Sequence, residues 1–480
     1  MLPSTIESLS SQPQTPKKFK TLVKNAFTSF RHNISLQPHQ CLFIFLILFI
    51  HFFIFFLTRT PSVSLSISKE HLSSVTNSSL PDECDSGRIY VYELPKIFNT
   101  DLLSNCDDLD PWHWQCGIAT NNGYGRRASE FDRVLPASLA PAWYRTNQFS
   151  LEIIFHHRIM NHKCRTLEPE SATAFYIPFY VGLAVGKYLF DNNSVQERDF
   201  LCEILLMWLQ DQPYWKRSNG SDHFIVLGRI TWDFRRLTEP KKLWGSSFLN
   251  MPLMQYTTRL TIERAPSDYY DIGVPYPTGF HPHSHTQILE WQNFIRTRNR
   301  SRLTSFVGAT RVDIKNDFRG YLLNKCRNEN DSCRLVDCAL TQCSNGSTAI
   351  LEALLDSDFC LQPRGDSYTR RSVFDCMIAG SIPVFFWKRS VYNQYDWFLP
   401  AEPDSFSVFI DHNDVINGTS VKEVLEGFNE KKIAEMKERV IELVPRIVYA
   451  VSNEGLASNK DAFDIAVEGV LERFRKQRQL

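Results

Sequence analysis

The chain has 480 residues, with 53 Lys+Arg against 53 Asp+Glu and a formal net charge of +0. That balance excludes the strongly basic surface of a nucleic-acid binder. With 43% hydrophobic and 22% charged residues, the composition is globular and has room for two or three domains.

Residues 1–40 are polar and basic, with Lys17, Lys18, Lys20, Lys24 and Arg31 against the single acid Glu7, and read as a disordered cytosolic tail. Cys41 to Leu57 (CLFIFLILFIHFFIFFL) is broken only by His51. At about 1.5 Å per residue it is at the short end of what crosses a bilayer core of roughly 30 Å. The positive-inside bias places the N-terminus in the cytosol and the remainder in the lumen. A retained type II signal anchor fits better than a cleaved signal peptide, and a short Phe-rich span suits the thinner membranes of the early secretory route, with the Golgi favoured. Residues 58–83 are Ser-rich and form a stem.

A lumenal body agrees with two further patterns. N-x-S/T sequons begin at Asn77, Asn192, Asn219, Asn299, Asn330, Asn345 and Asn417, all past the anchor. Of the 12 cysteines, all but Cys41 follow the span. Cys326, Cys333, Cys338 and Cys343 lack the spacing of a zinc site, so disulfides in an oxidising lumen are expected, with at least one thiol left over.

Within the body, buried-strand runs alternate with helical patterns. Ile89–Leu94, Ala172–Val181 and His223–Gly228 read as strands, and Leu151–Asn161 and Phe200–Gln210 as helices. Farther on, Ser305–Gly308, Phe359–Gln362 and Ile382–Phe386 read as strands. Ser347–Leu355, Thr369–Ala379, Lys431–Val451 and Asp461–Lys476 read as helices. This alternation predicts α/β architecture with doubly wound parallel sheet. The expected layout is GT-B, two Rossmann-like domains facing a cleft, preceded by one transmembrane helix. An acceptor-side domain would span 84–295 and a donor domain with the terminal helices 296–480.

The segment Pro363–Val384 carries the densest chemistry: strand, glycine turn, helix, glycine stop, strand. Gly365 allows a sharp turn, and Asp366, Ser367 and Thr369 are able to cap the helix that follows. Free N–H groups and partial positive charge at its start favour a diphosphate. Arg370 and Arg371 add cations where the dipole already opposes them, which is unfavourable unless an anion is bound. The plain alternative is a strand–helix crossover with surface arginines. Asp356-Ser357-Asp358 matches a metal-binding D-x-D, but its place at a helix end reads as capping, so no metal is expected. Asp233, just after the HFIVLG strand, is the candidate base for an acceptor hydroxyl, with Glu263 a second candidate. Its plain reading is a loop carboxylate bonded to Arg235 or Arg236. Glu263 and Asp271 flank Arg264, and His281, His283 and His285 read as ordinary polar loop histidines.

Taken in order, GRIYVYELP, NNGYGRR, TAFYIPFYVGLAVGKYL, GRITWDFRR, GVPYPTGFHP, SDFCLQPRGDSYTRRSVFDCMIAGSIPVFF and KDAFD resemble the plant exostosin-like glycosyltransferases. Within them the xyloglucan galactosyltransferase group is most similar, in particular the activity that galactosylates the second xylose of the repeat. The resemblance covers about Cys84 to Lys476. It implies a GT-B fold, UDP-galactose as donor, a β-1,2 link to xylose with inversion, xyloglucan as acceptor and the Golgi membrane as residence. It supports Arg370, Arg371 and Asp375 as donor-site residues, joined by Arg364, Gly365, Asp366, Ser367, Tyr368 and Thr369. Two rival readings are UDP-galacturonate as donor, with Arg364 or Lys388 meeting its carboxylate, and a non-catalytic glycan-binding member of a Golgi complex with other xyloglucan-synthesis enzymes.

Overall fold

Uninterrupted apolar runs such as Ala174-Phe-Tyr-Ile177 suit strands covered on both faces, and two all-parallel sheets are the result. The computed structural model describes residues 84–479, apart from 110–114, 190–192, 238–243, 312–316, 342, 344–346 and 458. The anchor, the stem and the sequons at Asn77, Asn192 and Asn345 lie outside the described residues. Among those residues no helix is long and apolar enough to cross a membrane. Asn219, Asn299, Asn330 and Asn417 are exposed.

The chain enters the first sheet through β1 (Ile89–Val91), and then pairs β2 (Arg126–Arg127) with β3 (Tyr144–Arg145) in a small antiparallel ribbon. Helix α1 (Leu151–Met160) follows, then β4 (Arg165–Thr166), β5 (Ala174–Ile177) and α2 (Val195–Asp211). Helix α2 starts with a capping box between Ser194 and Glu197. Strands β6 (His223–Leu227), β7 (Thr258–Thr261) and β8 (Asp271–Gly273) complete the order β4-β1-β5-β6-β7-β8.

Helix α3 (His285–Arg296) leads to the second half: β9 (Arg302–Gly308), α4 (Phe318–Asn328), β10 (Cys333–Asp337), α5 (Thr348–Leu355) and β11 (Ser357–Gln362). After these come α6 (Arg371–Ile378), β12 (Ile382–Phe385) and β13 (Val408–Phe409), giving the parallel order β10-β9-β11-β12-β13. Gly380, left-handed at φ 70°, ends the α6 segment and turns the chain back into β12. The last long helices are α7 (Glu430–Leu443) and α8 (Ala462–Arg478).

Three expectations need correction. Helix α6 begins at Arg371, not Thr369, with Arg370 as an N-cap that makes no side-chain cap bond, so Asp366, Ser367 and Thr369 are not its caps. Strand β11 begins at Ser357, which leaves Asp356 as the C-cap of α5 and puts Asp358 inside the strand, 3.2 Å from Lys437. Helix α8 joins the first half rather than the second. Phe463 packs on Phe155 of α1 at 5.2 Å, Arg478 donates to the Ala172 carbonyl at 3.0 Å, and Arg158 meets Asp461 at 2.6 Å with both side chains buried.

Disulfides join Cys84–Cys164, Cys106–Cys116, Cys326–Cys333, Cys338–Cys343 and Cys360–Cys376, and the remaining described cysteine, Cys202, is a buried free thiol. The Cys360–Cys376 bond fastens α6 to β11, and so fixes the helix whose start faces the loops described next.

Candidate active site

Ligands of parallel α/β sheets sit beyond the carboxyl ends of the strands. In the second sheet those ends carry Gly308 (β9), Gln362 (β11) and the loop 363–370. Gly365 makes this loop possible, because a Cβ there would run into the Thr369 carbonyl. Asp366 is exposed and pairs with Arg311, with Arg319 next at 3.6 Å. Arg319 also donates to the Arg364 carbonyl at 3.3 Å, and the Arg364 guanidinium lies 5.5 Å over the Trp387 ring. Arg370 is held by the Val307 carbonyl at 3.0 Å, while its second terminal nitrogen, Nη1, has no hydrogen-bond partner among the described residues.

Arg311, Arg319 and Arg370 therefore share the Asp366 carboxylate, with Asp317 a second carboxylate acting on Arg319 and the Arg364 charge opposing it. Burial pushes the Arg370 guanidinium down to about 9, with Arg319 and Arg311 pushing the same way and Asp366 offsetting only part. Arg319 is lowered for the same reasons, burial first and then Arg311. The buried Arg370 and partly buried Arg319 thus carry positive charge that Asp366 offsets only in part. Arg370 was legible in the sequence, but Arg311 and Arg319 were missed. Arg311 comes from the β9–α4 connection and Arg319 from the first turn of α4, some fifty residues upstream, and no local motif marks them.

Arg371 goes elsewhere. It donates to the Thr146 carbonyl at 2.6 Å and lies 3.3 Å from Asp375, whose carboxyl is raised by burial against the pull of Arg371. Asp375 and Arg371 thus tie α6 to the β3–α1 connection instead of lining the cation cluster.

Glu263 is not a free base. It follows β7, is fully buried, and its Oε2 accepts from Tyr368 N at 3.0 Å, Thr369 N at 2.8 Å and Thr369 Oγ1 at 2.8 Å. Burial raises its pKa, opposed by those bonds and by one from the Ser367 side chain. It clamps the glycine-containing loop to the first sheet, and the Tyr276 hydroxyl, 3.0 Å from Thr369 Oγ1, adds to the clamp. The Tyr368 hydroxyl accepts from Arg389 at 3.2 Å. Asp233 is also engaged, through a different partner than its loop neighbours Arg235 and Arg236. Its Oδ2 accepts from Arg229 Nε at 2.9 Å and its Oδ1 from Trp244 Nε1 at 2.8 Å, and the residue is buried. Both oxygens of Asp233 thus carry structural bonds, whereas in Glu263 only Oε2 does, Oε1 being buried with no hydrogen-bond partner among the described residues.

Of the three loop histidines, His281 departs from the expectation. It is fully buried between Thr146 Oγ1 (2.8 Å) and the Tyr449 carbonyl (2.7 Å), and burial lowers its pKa to about 4. His283 and His285 contact Tyr144 and Asn459. Lys388 lies 5.5 Å over the Phe409 ring. Among the described residues, the one His/Cys/Asp/Glu grouping at ligand spacing is Cys106–Asp107–Cys116, and its two sulfurs are already joined.

Two parallel α/β sheets joined by a clamped loop, with arginines gathered at one set of strand ends, define an α/β protein of the doubly wound class. The chain belongs to the exostosin GT47 family of glycosyltransferases: residues 83–427 match the exostosin GT47 domain. It is 57% identical over 397 residues to the xyloglucan galactosyltransferase XLT2 of Arabidopsis thaliana, covering 82% of this chain and 76% of that one. Identity is 40% to the xyloglucan galactosyltransferase MUR3 and 39% to the xyloglucan-specific galacturonosyltransferase 1 of the same plant. This chain spans 65% and 61% of their lengths, and 85% and 86% of this chain is matched.

Proposed function

We propose that this protein is a xyloglucan galactosyltransferase that moves galactose from UDP-galactose, with inversion, onto a xylose hydroxyl of xyloglucan. The proposed product is a β-1,2 link on the second xylose of the repeat. The observation that carries the reading is the gathering of Arg311, Arg319 and Arg370 about Asp366, at the loop that also carries Arg364. In this reading the two sheets form a GT-B pair, with donor on the second and acceptor on the first. The acceptor oxygen attacks the anomeric carbon as its proton passes to Asp233 or to solvent water, the bond to the diphosphate oxygen breaks, and its electron pair leaves with UDP. Charge then grows where Arg370 offers its free N–H, which lowers the barrier without a metal ion. The 57% identity to a xyloglucan galactosyltransferase supports the choice of sugar and acceptor. The enzyme is proposed to reside in the Golgi membrane as a type II protein, glycosylated on its lumenal sequons and working beside other enzymes of xyloglucan synthesis.

The test is to incubate the detergent-solubilised full chain with a xylosylated glucan oligosaccharide and either UDP-galactose or UDP-galacturonate, and to map the product linkage. Galactosylation at xylose O2 is expected. Turnover only with UDP-galacturonate overturns the donor, and none with either overturns the enzyme reading for this acceptor.

A further inference from the structure

Glu152 stands apart from the groups described so far. It lies in the first turn of α1, is fully buried, and sits beneath the carboxyl ends of β5 and β6, on the sheet assigned to the acceptor. Its Oε1 accepts from Gly182 N at 2.7 Å, in the first turn of the short helix Val181–Gly186 that follows β5, and from Gly228 N at 2.8 Å, the first residue past β6. Its Oε2 has no hydrogen-bond partner among the described residues. Neither glycine has room for a side chain: a Cβ at Gly182 would lie 2.8 Å from Glu152 Oε1, and one at Gly228 2.6 Å from the Phe149 carbonyl.

The next residue, Arg229, extends the arrangement. Its guanidinium lies 4.3 Å over the Phe149 ring and donates to Asp233, which in turn accepts from Trp244. One buried carboxyl thus holds the start of the Val181–Gly186 helix and the start of the loop after β6, and that loop is fastened again through Arg229 and Asp233. We propose that Glu152 is a positioning residue for the acceptor, setting the spacing of the helix start and the loop on which the glucan chain rests. The inference rests on the transferase reading above.

The charged and titratable groups facing Glu152 are Arg229, Tyr176 and Tyr180, with His156 reached through the Tyr180 hydroxyl at 2.8 Å and Asp233 through Arg229. Burial raises the Glu152 carboxyl to about 8, against its backbone bonds from Gly228 and Gly182 and the charge of Arg229. Near neutral pH it is therefore protonated, with Oε1 still accepting from both amides. Ionisation at higher pH sets a second carboxylate against Asp233 for Arg229.

The experiment measures binding of a xylosylated glucan oligosaccharide and, separately, of UDP to the full chain and to its Glu152→Ala and Glu152→Gln variants. For Glu152→Ala, oligosaccharide affinity should fall by about tenfold or more while UDP affinity stays within about twofold, the loss expected when two buried N–H groups lose one acceptor. Gln keeps the acceptor oxygen, so Glu152→Gln should bind like the parent near neutral pH. It should also lack the parent's loss of oligosaccharide affinity above about pH 8. A Glu152→Gln protein as impaired as Glu152→Ala overturns the proposal, as does a Glu152→Ala protein that loses UDP and oligosaccharide binding equally. If Glu152→Ala does not fold, the pH profiles of the parent and Glu152→Gln decide. A parent that binds the oligosaccharide without turnover overturns the transferase reading alone, since the binding comparison still stands.

Discussion

Arg370 and Arg371 are adjacent in the chain and face opposite halves of the protein: Arg370 donates to the Val307 carbonyl at the end of β9, Arg371 to the Thr146 carbonyl before α1. The turn into α6 between them sends one guanidinium to the arginine cluster of the second sheet and ties the other to the first half.

Separate substitution should therefore split their effects. Arg370→Ala is expected to weaken UDP binding by about tenfold to a hundredfold, the value of one or two charge-assisted hydrogen bonds. Arg371→Ala should lower Tm and leave UDP affinity within a few-fold. Titration calorimetry and thermal melting on the same preparations check both, and a larger loss of UDP affinity for Arg371→Ala contradicts the assignment.

Glu263→Ala would strand two buried backbone N–H groups and the Thr369 hydroxyl, at a cost on the order of 3 kcal/mol or more. A clear drop in Tm together with weaker UDP binding is expected, with Glu263→Gln milder in both because it keeps one accepting oxygen. Had Glu263 been the catalytic base, Gln would instead abolish turnover at unchanged Tm.

A pH dependence follows from the junction of α8 with α1. Burial, and then the Asp461 charge, raise the Asp464 carboxyl to about 7, against the pull of Arg158. The folded state thus holds this proton more tightly than the unfolded chain, whose carboxylate titrates near about 4. Stability from this group is complete below about pH 4 and is lost as pH rises through about 7. Asp464→Asn should flatten that slope, read as Tm against pH, with the largest gain over the parent above about pH 7.

The cysteine pattern offers a chemical check. Cys202 is fully buried, and burial raises its thiol far above the ordinary range, so native protein should resist alkylation there. Mass spectrometry after labelling with and without denaturant should find Cys202 modified only when unfolded. The ten bridged cysteines should label only after reduction. Labelling of Cys326, Cys333, Cys338 or Cys343 without reduction would contradict the bridges.

The alternation of apolar runs and helical patterns was legible for the long central elements, where strands such as His223–Leu227 are buried along their whole length. Strands β7 and β8 escaped notice because they carry Arg259 and Asp271, paired at 2.7 Å and buried, so their sequences look like loop. The donor segment was recognisable as strand, glycine turn and helix, but its helix starts two residues late because Glu263 takes the Tyr368 and Thr369 amides. The cation cluster was only half visible. Its members come from separate connections, and what unites them is the sheet order, which places β9 beside β11. Asp233 and Glu263 were sensible guesses from position, and tertiary partners that no spacing reveals already engage both.

The buried pair Arg158–Asp461 closes a stretch of 303 residues. As the chain emerges amino end first, the first sheet is made long before the helix that covers it. Its apolar flank stays uncovered until Ala462–Arg478 has been made. A fusion at the carboxyl end is thus better tolerated past Arg478 than any deletion back into Ala462–Arg478, which would leave the earliest-made sheet permanently uncovered.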